Sequence, residues 1–175
     1  MCRNFSEQEY ERMLDKLFVR FPSFQKVGAG AYKPGIGNME FFDQLAGHPH
    51  RQYKIIHVAG TNGKGSVSNM LASALASQGL NVGLYTSPHI LDFRERIRIV
   101  SSHSDPACHP ERREGSLSTL ISKEYVWSFV DRWQETFDHL DMSFFEITTA
   151  MAFSWFADMK VDVVVLETGL GGRLD

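Results

Sequence analysis

Lys54-Ile55-Ile56-His57-Val58-Ala59-Gly60-Thr61-Asn62-Gly63-Lys64-Gly65-Ser66 is the stretch whose reading decides the fold. Lys54 to Ala59 is rich in apolar and β-branched residues and reads as a buried strand running into Gly60. From Lys64 onward, Val67, Met70, Leu71, Ala74 and Leu75 predict one apolar helix face, which Gly79 ends. Asn81 to Thr86 reads as a second strand, so the order is strand, glycine loop, helix, strand: a βαβ unit. A glycine loop in that setting suits phosphate, because glycines let successive backbone N–H groups point inward and the helix N-terminus adds partial positive charge. Lys64 supplies a mobile full charge for the outer phosphates of a nucleoside triphosphate. A ligand-free glycine turn is the competing reading, and the flanking strand and helix favour phosphate over it.

The loop departs from the common phosphate-loop pattern. It lacks that pattern's first glycine, and Gly65 stands where a hydroxyl residue would ligate Mg²⁺, with Ser66 one place later. Another oxygen must then hold the metal. Ser87, in Thr86-Ser87-Pro88-His89 at the carboxyl end of the second strand, lies at the edge where ligands bind in open α/β sheets. A simple turn started by Pro88 accounts for the same residues equally well. Glu167 ends the apolar strand Val161 to Leu166 just before a glycine turn, a place that suits an acidic Mg²⁺ ligand. Strand capping or pairing with Arg173 competes with that role. Glu146 falls in the first turn of a helix, where complementing the helix dipole is the favoured reading. The alternating charges of Arg94, Glu95, Arg96 and Arg98 read as a solvated face, and Trp127 and Trp133 as core residues. His103, Cys108 and His109 lack the second Cys/His pair of a zinc site.

Working outward, Ser6-Glu7-Gln8-Glu9 has the capping-box pattern, and Tyr10, Leu14, Leu17, Phe18 and Phe21 continue at helical spacing until Pro22. Gly28 to Gly37 reads as a loop and Met39 to Leu45 as a short helix. Ile97 to Val100 reads as a strand, Ser101 to Ser118 as an exposed polar loop, and the stretches from Val126 to Leu140 and Phe145 to Met159 as helices. At 175 residues, 43% hydrophobic and 22% charged, the composition is that of an ordinary globular domain. A formal net charge of −3 argues against general affinity for nucleic acid, and no apolar run is long enough to span a membrane. Two cysteines give no disulfide framework, and residues 1–20 no signal-peptide core, so a cytoplasmic location is the default expectation.

Five stretches together resemble the folylpolyglutamate synthase/dihydrofolate synthase family within the wider Mur ligases. They are His57 to Ser66, Tyr85 to His89, Glu95 to Arg98, Phe145-Glu146 and Glu167 to Asp175. The resemblance implies an α/β fold with a phosphate-loop parallel sheet flanked by helices, of the Mur ligase central-domain type. It implies an ATP-dependent ligase joining L-glutamate to dihydropteroate or a folate through an acyl phosphate. Gly60, Thr61, Asn62, Gly63, Lys64, Gly65 and Ser66 would cradle ATP, Ser87 and Glu167 would ligate Mg²⁺, and Lys64 and Glu167 would be the catalytic residues. Ala31, Tyr32, Lys33, Pro34, Phe145 and Glu146 would lie near the pterin. The implied organisation is a helical segment with a substrate loop over residues 1–53 and the first part of the ATP-binding domain over 54–175. A polar insertion falls at about 101–118, and the family's carboxy-terminal domain is absent. The small molecules are the only partners expected, with a monomer at full length and no turnover by this chain alone. A peptidoglycan Mur ligase is the second reading, disfavoured by Ser87-Pro88-His89 and the Lys64-Gly65-Ser66 order. The third is a truncated nucleotide-binding remnant, whose mark would be an exposed strand at Val161 to Leu166 lacking its parallel neighbours.

Overall fold

The computed structural model describes residues 5–20, 35–102 and 117–169. The chain forms two compact units, one made of Met1–His48 with Ser122–Trp155 and the other of Pro49–Ile121 with Phe156–Asp175. This grouping cuts across the division expected at residues 53 and 54, because residues 122–155 cluster with the amino-terminal helix.

In the first unit, helix α1 (Glu7–Arg20) begins where Ser6 Oγ accepts from the Glu9 backbone N–H at 3.2 Å, and it buries Tyr10 and Leu17. Helix α2 (Gly37–Leu45) buries Phe42, which meets the rings of Phe129, Trp133 and Phe137 from a later helix. Trp127 and Trp133, expected in the core, are only half-buried.

The second unit is built on a five-stranded sheet in the order β1-β5-β2-β3-β4. β1 (Lys54–Val58), β5 (Val163–Glu167) and β2 (Val82–Tyr85) are parallel, while β3 (Ile97–Ser101) and β4 (Leu117–Leu120) form an antiparallel pair at one side. The sheet is therefore mixed rather than purely parallel. Helix α3 (Lys64–Ser77) connects β1 to β2 and lies on one face, where Ala72 and Ala76 pack with Val82, Leu84, Val100, Val163 and Val165. On the opposite face Gly83 leaves room for Phe156 and Val164, which a Cβ there would meet at 2.9 Å. Helices α4 (Lys123–His139) and α5 (Phe144–Asp158) follow the sheet's antiparallel pair in the chain.

Several expectations are corrected. Lys54 to Ala59 is not a buried strand: β1 lies at a sheet edge among the described residues, with Ile55 exposed. Conversely, the strand expected to lack neighbours is the central one, since β5 pairs with both β1 and β2 and buries Val163, Val164 and Val165. The buried face of α3 is Ser68, Ala72 and Ala76, whereas Val67 and Met70 are exposed. Small residues face the sheet because they let the helix backbone approach closely. The 101–118 segment is not wholly loop, because Leu117 onward is the β4 strand; residues 103–116 lie outside the described residues. No described helix is long and apolar enough to cross a membrane.

Candidate nucleotide-phosphate site

Three parallel strands end at one edge of the sheet. The register places Val58 opposite Glu167 and Tyr85 opposite Leu166. Thr168 N–H donates to the Val58 carbonyl at 3.0 Å, extending that ladder by one residue. The loop after β1, the turn after β2 and the last residue of β5 therefore converge, with Glu167 in the middle. β5 was not expected between β1 and β2, and its insertion there is what centres Glu167.

The loop itself is shaped by glycine. Gly60 has φ 150° and Gly63, the residue preceding α3, has φ 77°, a left-handed conformation that side-chain-bearing residues rarely adopt. No side chain caps α3, so the first-turn N–H groups of residues that follow Gly63 stay available to an anion. Thr61, Asn62 and Ser66 are exposed. Lys64 folds back along the loop, its Nζ donating to the Gly60 carbonyl at 2.9 Å. That ammonium can exchange a neutral carbonyl for a phosphate oxygen with little movement of its stem.

Gly65, Ser87 and Glu167 are brought together. A Cβ built on Gly65 would stand 3.7 Å and 3.8 Å from the two Glu167 carboxylate oxygens, and Glu167 Oε2 accepts from the Ser87 backbone N–H at 3.1 Å. Glu167 is 5% exposed, so its charge is used inside the site rather than dissipated in water. Among the described residues, no group of three His, Cys, Asp or Glu side chains is arranged to hold a metal ion by itself. A hard cation here would thus have one carboxylate, with Ser87 following the neighbouring strand and phosphate oxygens and water completing its shell, which is how Mg²⁺ is commonly held beside nucleotides. The residues present fit that ion.

The segment after β2 is organised by charges that the sequence reading placed on a solvated face. The peptide Ser87–Pro88 is cis. Glu95 accepts from the backbone N–H groups of Ile90, Leu91 and Asp92 at 2.8, 3.1 and 2.9 Å, and these bonds, that from Ile90 foremost, lower its pKa. Asp92 in turn accepts from the Arg94 N–H at 2.9 Å, completing a capping box around the short turn Phe93–Arg96. Arg96 is 4% exposed and its Nε donates to His89 Nδ1 at 2.8 Å. Burial, and then the Arg96 charge, hold the His89 pKa below 6.5. Arg98 is half-buried, with Nη2 donating to Asn69 Oδ1 at 3.0 Å. Arg94, Arg96 and Arg98 are therefore not a solvated face. The available signal was the apolar run into which they lead, since Arg98 lies on β3 between Ile97 and Ile99 and Arg94 and Arg96 lie in the turn that enters it.

The remaining candidates belong to the first unit or fall outside the described residues. Glu146 accepts from the Ser143 N–H at 2.6 Å and its own N–H donates to Ser143 Oγ at 3.2 Å, a capping box at the start of α5 in the first unit. Phe145 beside it is half-buried. Ala31, Tyr32, Lys33 and Pro34 lie outside the described residues, as does Leu170 to Asp175.

No protein-family model matches the chain. A dihydrofolate synthase/folylpolyglutamate synthase of Bacillus subtilis is 39% identical over 82% of the chain and 31% of its own length. The crystal structure of a folylpolyglutamate synthase from Thermotoga maritima matches at 40% identity and a TM-score of 0.74, over 96% of this chain and 35% of that one. The Mycobacterium tuberculosis folylpolyglutamate synthase complexed with ADP matches at 31% identity and a TM-score of 0.74, over 96% of this chain and 34% of that one. The chain thus spans about a third of the length of these proteins.

Proposed function

Since the chain belongs, over the third of their length that it spans, with the folylpolyglutamate and dihydrofolate synthases, we propose that its sheet edge is the ATP site of such a ligase. The observation that carries this is the convergence of the Gly60 to Ser66 loop, Ser87 and Glu167 at the carboxyl ends of three parallel strands. The proposed reaction of the whole protein adds L-glutamate to dihydropteroate or a folate. A carboxylate oxygen of the pteroyl substrate attacks the γ-phosphorus of ATP, ADP leaves, and the glutamate amine then displaces phosphate from the acyl carbon. Within this reading the backbone N–H groups of residues 60–66 cradle the phosphates, and Lys64 neutralises charge on the outer ones. Glu167, with Ser87, holds Mg²⁺, which supplies further neutralisation of the triphosphate. Phe145, Glu146 and the 31–34 segment are proposed to serve the pterin. The 175 residues on their own are proposed to bind nucleotide without ligating, since they span about a third of the length of the relatives.

The test is calorimetric titration of the chain with Mg-ATP. Saturable one-to-one binding is expected, weakened at least about tenfold by Lys64→Ala, the scale of one lost charge-assisted contact to phosphate. Absence of binding by the unaltered chain, or binding indifferent to Lys64→Ala, would falsify the assignment.

A further inference from the structure

The nucleotide loop is tied to β3 by two side chains that its own motif does not include. Asn69, one turn into α3, donates from Nδ2 to the Gly65 carbonyl at 2.7 Å. Its Oδ1 accepts from Arg98 Nη2 at 3.0 Å, and Arg98 stands on β3, opposite Leu84 of β2. Arg98 is drawn in by this contact although burial disfavours its charge, and its Nε has no hydrogen-bond partner among the described residues.

The carbonyl of Gly65 and the N–H of Ser66 belong to one rigid peptide plane. In a trans peptide the two point in opposite directions, so clamping the carbonyl down the helix aims the Ser66 N–H back toward the loop. That peptide lies in the first turn of α3, and the Asn69 side-chain bond adds to the helix's own backbone bonds there. Gly65 has no Cβ to restrict it, and α3 has no side-chain cap to hold its first turn. The guanidinium also polarises the Asn69 amide, strengthening the Nδ2–H bond to the carbonyl.

We infer that Asn69 and Arg98 form a positioning relay that presets the Gly65–Ser66 peptide for phosphate and so sets nucleotide affinity. The inference rests on the ATP-site reading above. Neither residue touches the nucleotide; each acts through Gly65. The relay makes the two residues a unit, so its signature is non-additivity rather than mere loss.

The experiment is titration of the chain with the Mg²⁺ complex of β,γ-methylene ATP, for Asn69→Ala, Arg98→Met, the double variant and Arg98→Lys. Each single variant is expected to weaken binding about threefold to tenfold, the range of one or two hydrogen bonds. The double variant should be no worse than Asn69→Ala alone, and Arg98→Lys, which keeps a donor, should recover most of the loss. Melting temperatures without nucleotide should stay within about 2 °C of the unaltered chain, since Asn69 is exposed and the relay orients one peptide. Unchanged affinity in Asn69→Ala, multiplying losses in the double variant, or a loss of affinity matched by a collapse in melting temperature would each overturn the relay. Lys64→Ala separates the two levels of the argument. If it abolishes binding while Asn69→Ala leaves it intact, the relay alone fails; if the unaltered chain does not bind, the site reading fails and takes the relay with it.

Discussion

Glu167 is a single carboxylate with three neighbours to satisfy: the Ser87 N–H, the bare Cα of Gly65 and, in the proposed function, a cation. Its burial makes the charge effective and its loss costly. Replacing it by glutamine keeps the shape and one acceptor oxygen but removes the charge. Titration with and without Mg²⁺ should then show the metal's enhancement of ATP binding reduced by about tenfold or more, the order expected for losing a charged ligand. An enhancement equal to that of the unaltered chain would sink the metal role. His89 carries a second residue-scale consequence. Because its folded pKa is lowered, the neutral ring is favoured in the folded state, and Nδ1 must stay unprotonated to accept from Arg96. The unfolded chain therefore binds more protons near and below pH 6.5, so this contribution is complete above that value and is lost as pH falls through the folded pKa. The fall in melting temperature between pH 7.5 and pH 5.5 should accordingly shrink in His89→Gln (both values being ~1 unit either side of the unperturbed histidine pKa). The places of Ser87 and Glu167 were legible in the sequence, because Glu167 is the last residue of its strand and Ser87 lies two residues past the end of its own. Arg96 and Arg98 were not, since alternating charge looks the same on a solvated face and on a strand whose neighbours bury it.

At the scale of elements, the sheet closes tightly around Gly83 of β2. A Cβ there would meet Phe156 Cδ1 and Val164 Cγ2 at 2.9 Å and Phe156 Cε1 at 3.0 Å, all side-chain atoms that must shift to admit it. Gly83→Ala should destabilise the chain by about 1–3 kcal/mol, the usual cost of overpacking. Denaturant unfolding checks this, and Phe156→Leu in the same background should restore part of the loss. Full stability in Gly83→Ala alone would show that the two side chains yield freely. The first helix was legible by its cap at Ser6 as well as its period, whereas Ser143, and Ser122 accepting from the Tyr125 N–H at 3.1 Å, are caps that only the structure revealed. The face of α3 was misjudged for a physical reason. Periodicity marks where large apolar residues recur, but a helix pressed close against a sheet turns its small residues inward, and Ala72 and Ala76 carry that contact. Asp162 interrupts the apolar run before β5 for a similar reason of partnership: it accepts from the Asn81 N–H at 2.8 Å, while Asp162 N–H donates back to the Asn81 carbonyl at 2.9 Å, so the starts of β5 and β2 are tied.

For the whole molecule, nucleotide binding to the folded state alone must appear as stability. At a hundredfold excess of Mg-ATP over its dissociation constant the gain is about 2.7 kcal/mol, and for a chain of this size the melting temperature should rise by roughly 5–10 °C. A melting temperature indifferent to Mg-ATP, in a chain that unfolds cooperatively, would contradict the binding assignment. The glycine loop, the missing side chain at position 65 and the places of Ser87 and Glu167 at strand ends were determined by sequence alone, because glycine conformations and strand ends are local properties. Strand order was not. Nothing local to Val161 to Leu166 says that it enters between β1 and β2, since pairing depends on which edges are open when the chain returns from 80 residues away. That insertion makes β5 central, leaves β1 at the edge of the described sheet and carries Glu167 to Gly65 and Ser87. The tertiary structure likewise buried Arg96 and linked Arg98 through Asn69 to the loop, because burial and long-range hydrogen bonds belong to neighbours that no sequence window contains.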